Sequence, residues 1–211
     1  MKYHIFDLDG TLADSMPNWQ RMMLNILDTT GTRYPKDIIR IITPLGNTGT
    51  SNYFINTLHV NATRQELLEM MDAYSLNEYA HNIPIKAGIK EYLEKLKREG
   101  NYLGVLTASP HRFTDPCLKN NGVYDLFDAV WSIDDYGTLT KDKTEIYDEM
   151  VRRLGCNKED VVFYDDNIVA VTTAKKANVT TYGVFDKSSE NDKDKIKAIC
   201  DKYIDDFREL V

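Results

Sequence analysis

Mostly apolar runs of four or five residues recur along this chain at Tyr3–Phe6, Tyr102–Leu106, Ala129–Ser132, Val161–Tyr164 and Thr180–Val184. Runs of that length, with little alternation of polar and apolar positions, predict strands buried on both faces. Between them the apolar positions recur at helical spacing, with helices expected to begin near Ile89, Phe113, Glu145, Ile168 and Asp192. Strands alternating with helices in this way predict an α/β fold built on a doubly wound parallel sheet.

The stretch from about 14 to 83 breaks the alternation. It contains no comparable strand run, and Met16–Asp28 places Trp19, Met22, Met23, Ile26 and Leu27 on one helical face, a pattern that Arg64–Tyr79 continues. Packing within a helical unit accounts for that tryptophan and methionine stripe. The expected organisation is therefore an α/β core from residues 1–13 and 84–211, with a helical domain inserted at 14–83.

Candidate chemistry collects where the strand runs end, which in open α/β sheets is where ligands bind. The first run ends in Asp7-Leu8-Asp9-Gly10-Thr11-Leu12, two carboxylates one residue apart before a glycine that lets the chain bend sharply. One carboxylate can attack phosphorus while its neighbour gives and takes the proton. As a purely structural turn, the stretch would use Thr11 or Ser15 to cap the next helix. The second run closes with Thr107-Ala108-Ser109, whose hydroxyl and backbone N–H groups can hold phosphoryl oxygens as charge builds on them. Ahead of the helix near Glu145, Lys141 and Lys143 each offer a cation to offset that charge. The fourth run closes with Asp165-Asp166-Asn167; Mg²⁺ wants several hard oxygen ligands, and Asp7, the backbone carbonyl of Asp9 and Asp166 would supply them.

These four stretches, in this order, resemble the motifs of the haloacid dehalogenase superfamily. The resemblance implies that Asp7 is the nucleophile, that Asp9 is the general acid and base, and that Thr107 with Ala108 and Ser109 binds phosphate. It implies Lys141 as the motif lysine, counted back from Tyr147, with Asp142 and Thr144 where the family usually carries prolines and with Lys143 as the alternative. Asp7, Asp9 and Asp166 would hold Mg²⁺, and Asp165, shorter than the usual glutamate, would act on it mainly through water. The segment at 14–83 resembles the helical cap of one large branch of the superfamily, in which specificity resides. Within it, Pro44–Asn52 is polar and punctuated by glycine, so Gly46, Asn47 and Thr48 read either as a substrate loop or as an ordinary interhelical turn.

Composition narrows the setting. The formal net charge of −7 argues against non-specific binding of nucleic acid or of an anionic membrane. No apolar run approaches the roughly twenty residues of a membrane span. Cys117, Cys156 and Cys200 form no pair or metal pattern, which fits a reducing, cytoplasmic location, and the four histidines lack ligand spacing. The expected function is Mg²⁺-dependent hydrolysis of a small phosphorylated metabolite, a sugar or short-chain phosphate monoester, through an aspartyl phosphate. The alternatives are a phosphohexomutase resembling β-phosphoglucomutase and a low-turnover binding or regulatory member. The metabolite is the one partner expected, and the oligomeric state is left open.

Overall fold

The computed structural model describes residues 1–42 and 45–211, without the side chains of residues 46–48 and 133. The chain divides into two compact units, Met1–Met16 with Ile83–Val211, and Pro17–Asn82.

The first unit is an α/β layer structure. Its sheet holds six parallel strands, β1 (Tyr3–Phe6), β2 (Tyr102–Leu106), β3 (Ala129–Trp131), β4 (Val161–Asp165), β5 (Thr180–Val184) and β6 (Lys202–Ile204), in the order β3-β2-β1-β4-β5-β6. Strand β1 pairs with β2 on one side and β4 on the other, so Phe6 lies opposite both Val105 and Tyr164. The chain reverses its winding direction between β1 and β4, and a crevice opens beyond the carboxyl ends of strands at such a point. Both faces of the central strands are covered. Ile5, Phe6, Val161, Phe163 and Tyr164 are fully buried, which is why these strands read as apolar runs rather than as alternating ones. The Phe6 and Tyr164 rings stack with centroids 4.2 Å apart, tying β1 to β4 just below the crevice.

Helices α5 (Ile89–Arg98), α6 (His111–Asn120), α7 (Thr144–Leu154), α8 (Ile168–Lys176) and α9 (Lys193–Ile199) supply the outer layers. Each begins within two residues of its expected start. Strand β6 was not expected. Within it Lys202 is exposed and Tyr203 half-buried, so no apolar run marks it.

The second unit is helical: α1 (Met16–Thr29), which begins in the first unit, α2 (Ile38–Ile42), α3 (Gly46–Asn56) and α4 (Arg64–His81). Met22, Met23, Ile26 and Leu27 of α1 share a core with Ile38, Ile42, Phe54, Leu67 and Met71, so the methionine stripe is packing. Helix α4 opens on a capping box in which Thr63 and Glu66 satisfy each other's backbone N–H groups. The loop expected over Pro44–Asn52 is corrected, since Gly46 to Asn56 is helical. Burial outweighs the poor helix propensity of this segment: Phe54 is fully buried, and Thr50 donates its hydroxyl to the Ile42 carbonyl at 3.3 Å. Pro44 lies outside the described residues, as do the side chains of Asn47 and Thr48. Among the described residues, no helix is long and apolar enough to cross a membrane.

A buried polar chain runs beneath the strand ends. His4 Nδ1 lies 2.7 Å from the Tyr164 hydroxyl, which lies 2.8 Å from that of Tyr92. Burial, with a smaller contribution from the charge on Lys2, lowers the His4 pKa to about 4. The folded state thus holds His4 neutral while the unfolded chain protonates it near 6.5, so its stabilising contribution is complete above about 6.5 and is lost as pH falls toward 4. Linkage puts the loss at pH 5 at about 1–2 kcal/mol. Urea unfolding at pH 7 and pH 5 checks this: His4→Gln should lose clearly less stability than the parent over that interval, and an equal loss would contradict the assignment.

Candidate active site

Three of the expected stretches are brought to the carboxyl ends of β1, β2 and β4. Asp7 follows β1 directly, and its backbone N–H donates to the Tyr164 carbonyl at 2.9 Å, which fixes it against β4. The chain then turns back on itself, with the Leu8 carbonyl accepting from the N–H groups of Leu12 (3.0 Å) and Ala13 (2.8 Å). Gly10 makes the turn possible in two ways. Its φ is +81°, and a Cβ there would stand 2.6 Å from the Asp166 carboxylate. Asp166 is thereby held close against the β1 loop.

Lys141 lies on the segment between β3 and α7. Its Nζ is 2.6 Å from Asp7 Oδ1 and 2.7 Å from Asp165 Oδ2, with 15% of the side chain exposed. Tyr147 of α7 anchors the segment, its hydroxyl lying 3.1 Å from the Lys141 carbonyl and 3.0 Å from that of Ala170. Lys143, the alternative, points elsewhere and donates to the Thr138 carbonyl at 3.3 Å. Of the two lysines, Lys141 is the one in contact with the carboxylates. Asp165 is fully buried and also accepts from the Asn167 N–H at 2.8 Å, so both of its oxygens are engaged. Asn167 in turn caps α8 through the N–H groups of Val169 and Ala170.

At the end of β2, Thr107 is buried and its hydroxyl accepts from the Ser109 N–H at 3.1 Å, while Ala108 is exposed. Ser109 faces Asp9 and donates to its Oδ2 at 2.5 Å, and Ser15 donates to Oδ1 at 2.6 Å. Thr11 donates to Asp166 Oδ1 at 3.0 Å. Thus hydroxyls that a purely structural turn would use as helix caps donate to the Asp9 and Asp166 carboxylates.

Carboxylate oxygens of Asp7, Asp165 and Asp166 lie within 4.8 Å of one another. Burial drives the Asp166 pKa well above the usual carboxylate range, with Asp165, Asp7 and Asp186 adding to the rise and Lys86 opposing it. Burial likewise raises Asp7, against the pull of Lys141. For Lys141, burial opposes the charge but Asp165 and Asp7 outweigh it, and the ammonium is strengthened. One lysine does not balance three clustered carboxylates. Hard oxygen donors crowded in this way fit a small divalent cation, which would relieve the repulsion that adds to the effect of burial on both aspartates.

The family model for haloacid dehalogenase-like hydrolases matches residues 4–184. The chain belongs to the haloacid dehalogenase-like hydrolases. It is 25% identical over 194 residues to hexitol phosphatase B of Escherichia coli, covering 89% of this chain and 85% of that one. It is 29% identical over 192 residues to phosphoglycolate phosphatase of Psychrobacter arcticus, covering 85% and 81%. A crystal structure of a putative β-phosphoglucomutase from Thermotoga maritima superposes with a TM-score of 0.86 at 22% identity, covering 100% of this chain and 96% of that one, a likeness of fold.

In this haloacid dehalogenase-like hydrolase the sequence motifs alone do not expose the hydroxyls of Thr11 and Ser15 as carboxylate partners. Both precede an amphipathic helix and look like caps. Nor do they mark Lys86 and Asp186, which act on Asp166 from outside every motif. A cavity of about 330 Å³ is lined by Asp14, Lys86, Phe185, Asp186 and Phe207 among others, and none of the clustered carboxylates borders it.

Gly10→Ala is expected to cost about 1–3 kcal/mol, because it combines a left-handed backbone with a clash against Asp166. Gly137→Ala, at a φ of +61° with nothing within 4 Å of the added carbon, is the control and should cost no more than about 1 kcal/mol. Urea midpoints of the two variants check the order, and equal losses would mean that contact with Asp166 contributes nothing.

Proposed function

We propose that the chain is a Mg²⁺-dependent phosphatase that hydrolyses a small phosphorylated metabolite through an aspartyl phosphate on Asp7. One observation carries the reading: the Asp7 carboxylate, paired with Lys141 at 2.6 Å, stands at a strand end beside Asp166, with the Asp9 loop immediately after it. Membership of a hydrolase family and likeness to the two named phosphatases support the reaction class. Their names also favour polyol, sugar or short-chain phosphates as substrates.

In the first half-reaction an Asp7 oxygen forms a bond to phosphorus as the bond to the leaving oxygen breaks. Asp9 hands its proton to that oxygen. In the second, Asp9 takes a proton from water, whose oxygen attacks phosphorus and returns Asp7 to the carboxylate. Ser15 and Ser109 each occupy one lone pair of an Asp9 oxygen, which orients the carboxyl and leaves a second lone pair on each oxygen for the proton it carries. Lys141 offsets charge on the phosphoryl group and keeps Asp7 ionised. Thr107 and the Ala108–Ser109 turn hold non-bridging oxygens. Asp7, Asp166, the Asp9 carbonyl and, at longer range, Asp165 would hold Mg²⁺, which when bound supplies Lewis-acid neutralisation of the phosphoryl oxygens. Asp165 also steadies Lys141.

Activity toward phosphate monoesters should vanish in chelator and return with Mg²⁺, and turnover unchanged by chelator would overturn the metal assignment. Asp7→Asn should lower kcat by about a thousandfold or more, since no other group forms the covalent intermediate. Lys141→Ala should cost about a hundredfold or more and Lys143→Ala no more than about twofold, measured as kcat/KM. To separate hydrolysis from mutation, the protein is incubated with a hexose 1-phosphate, with and without a hexose bisphosphate primer. Free phosphate is the expected product. Primer-dependent hexose 6-phosphate with little free phosphate would instead establish a mutase.

A further inference from the structure

A second buried cation–anion pair stands at the same rim of the sheet and has no part in the chemistry above. Lys86 Nζ lies 3.0 Å from Asp186 Oδ2, with 17% and 4% of the two side chains exposed. Lys86 also donates to the Phe185 carbonyl at 2.5 Å, and Asp186 Oδ1 accepts from the Ser188 N–H (2.8 Å) and hydroxyl (2.7 Å). Its position follows from the backbone. The Lys86 N–H donates to the Leu12 carbonyl at 2.8 Å, which joins it to the loop whose Gly10 abuts Asp166. Asp186 comes two residues after β5, the strand paired with β4, where Gly183 lies opposite Asp165. Both charges therefore stand at the same rim of the sheet as Asp166, on its β5 side. A buried ion pair seldom stabilises a fold more than apolar side chains of similar volume would. Its field, however, extends well beyond its own contacts in a poorly screened interior.

We propose that Lys86 and Asp186 are positioning residues that set the electrostatic balance of the phosphoryl site, the lysine favouring the phosphate and the aspartate favouring the metal. The inference rests on the reading of the site as one for Mg²⁺ and phosphate. Removing either partner leaves the other uncompensated, so the two substitutions shift the site in opposite directions. Lys86→Met makes it one charge more negative, which tightens a divalent cation and weakens a phosphate. Asp186→Asn does the reverse. Removing both restores neutrality. A merely structural role would weaken both ligands together in either variant.

Isothermal titration of the full chain with Mg²⁺, and then with inorganic phosphate at saturating Mg²⁺, tests the pair without relying on turnover. Lys86→Met should lower the Kd for Mg²⁺ and raise that for phosphate, each about three- to tenfold, Asp186→Asn should reverse both signs, and the double variant should lie within about twofold of the parent. If Lys86→Met fails to fold, Asp186→Asn still carries the opposite-signed pair of shifts, since an amide oxygen can keep the Ser188 hydrogen bonds. Kd values unchanged in the variants, or weakened for both ligands alike, overturn the proposal. A parent protein that binds neither Mg²⁺ nor phosphate overturns the reading of the site itself, and the inference with it.

Discussion

Carboxylates crowded at the ends of β1 and β4 are the constraint around which the α/β unit is arranged. Asp7, Asp165 and Asp166 are all buried, with oxygens within 4.8 Å of one another. Such a cluster is unfavourable without compensation, because burial and mutual repulsion both oppose ionisation. The surrounding structure answers with Lys141 between Asp7 and Asp165 and with the Thr11 hydroxyl on Asp166. The residual excess of negative charge fits a divalent cation.

The same constraint explains features of the fold that packing alone would not require. Gly10 is a glycine because Asp166 occupies the space of its Cβ. Tyr147 is buried in the core, yet its hydroxyl reaches the Lys141 carbonyl and so fixes where the ammonium can stand. The aromatic stack of Phe6 on Tyr164 holds β1 and β4 in register directly beneath the carboxylates. Strain and buried charge gathered at one place, on an otherwise locally consistent sequence, mark a site held together for chemistry.

Much of this was legible in the sequence, for physical reasons. Strands buried on both faces leave apolar runs, so β1, β2, β4 and β5, and the acidic or hydroxyl residues that end the first three, could be placed without coordinates. Lys141 was harder, since a lysine's reach depends on how its loop is anchored, and Tyr147 supplies that anchor through a hydrogen bond no pattern reveals. Thr11, Ser15 and Ser109 carry hydroxyls whose partners lie on other segments or across a turn, and caps share their signature. Strand β6 and helix α3 escaped notice because tertiary burial, of Ile204 in one and Phe54 in the other, decides their conformation against a polar local sequence.

Asp7 as a covalent nucleophile is the central claim, and the stereochemical course at phosphorus tests it most directly. With a phosphorothioate ester made chiral at phosphorus by oxygen isotopes and hydrolysed in water carrying the third isotope, two in-line displacements, first by Asp7 and then by water, give thiophosphate with overall retention of configuration. Retention is the expected result. Inversion would mean that water attacks the substrate directly, and Asp7 would then serve the reaction without ever carrying the phosphoryl group.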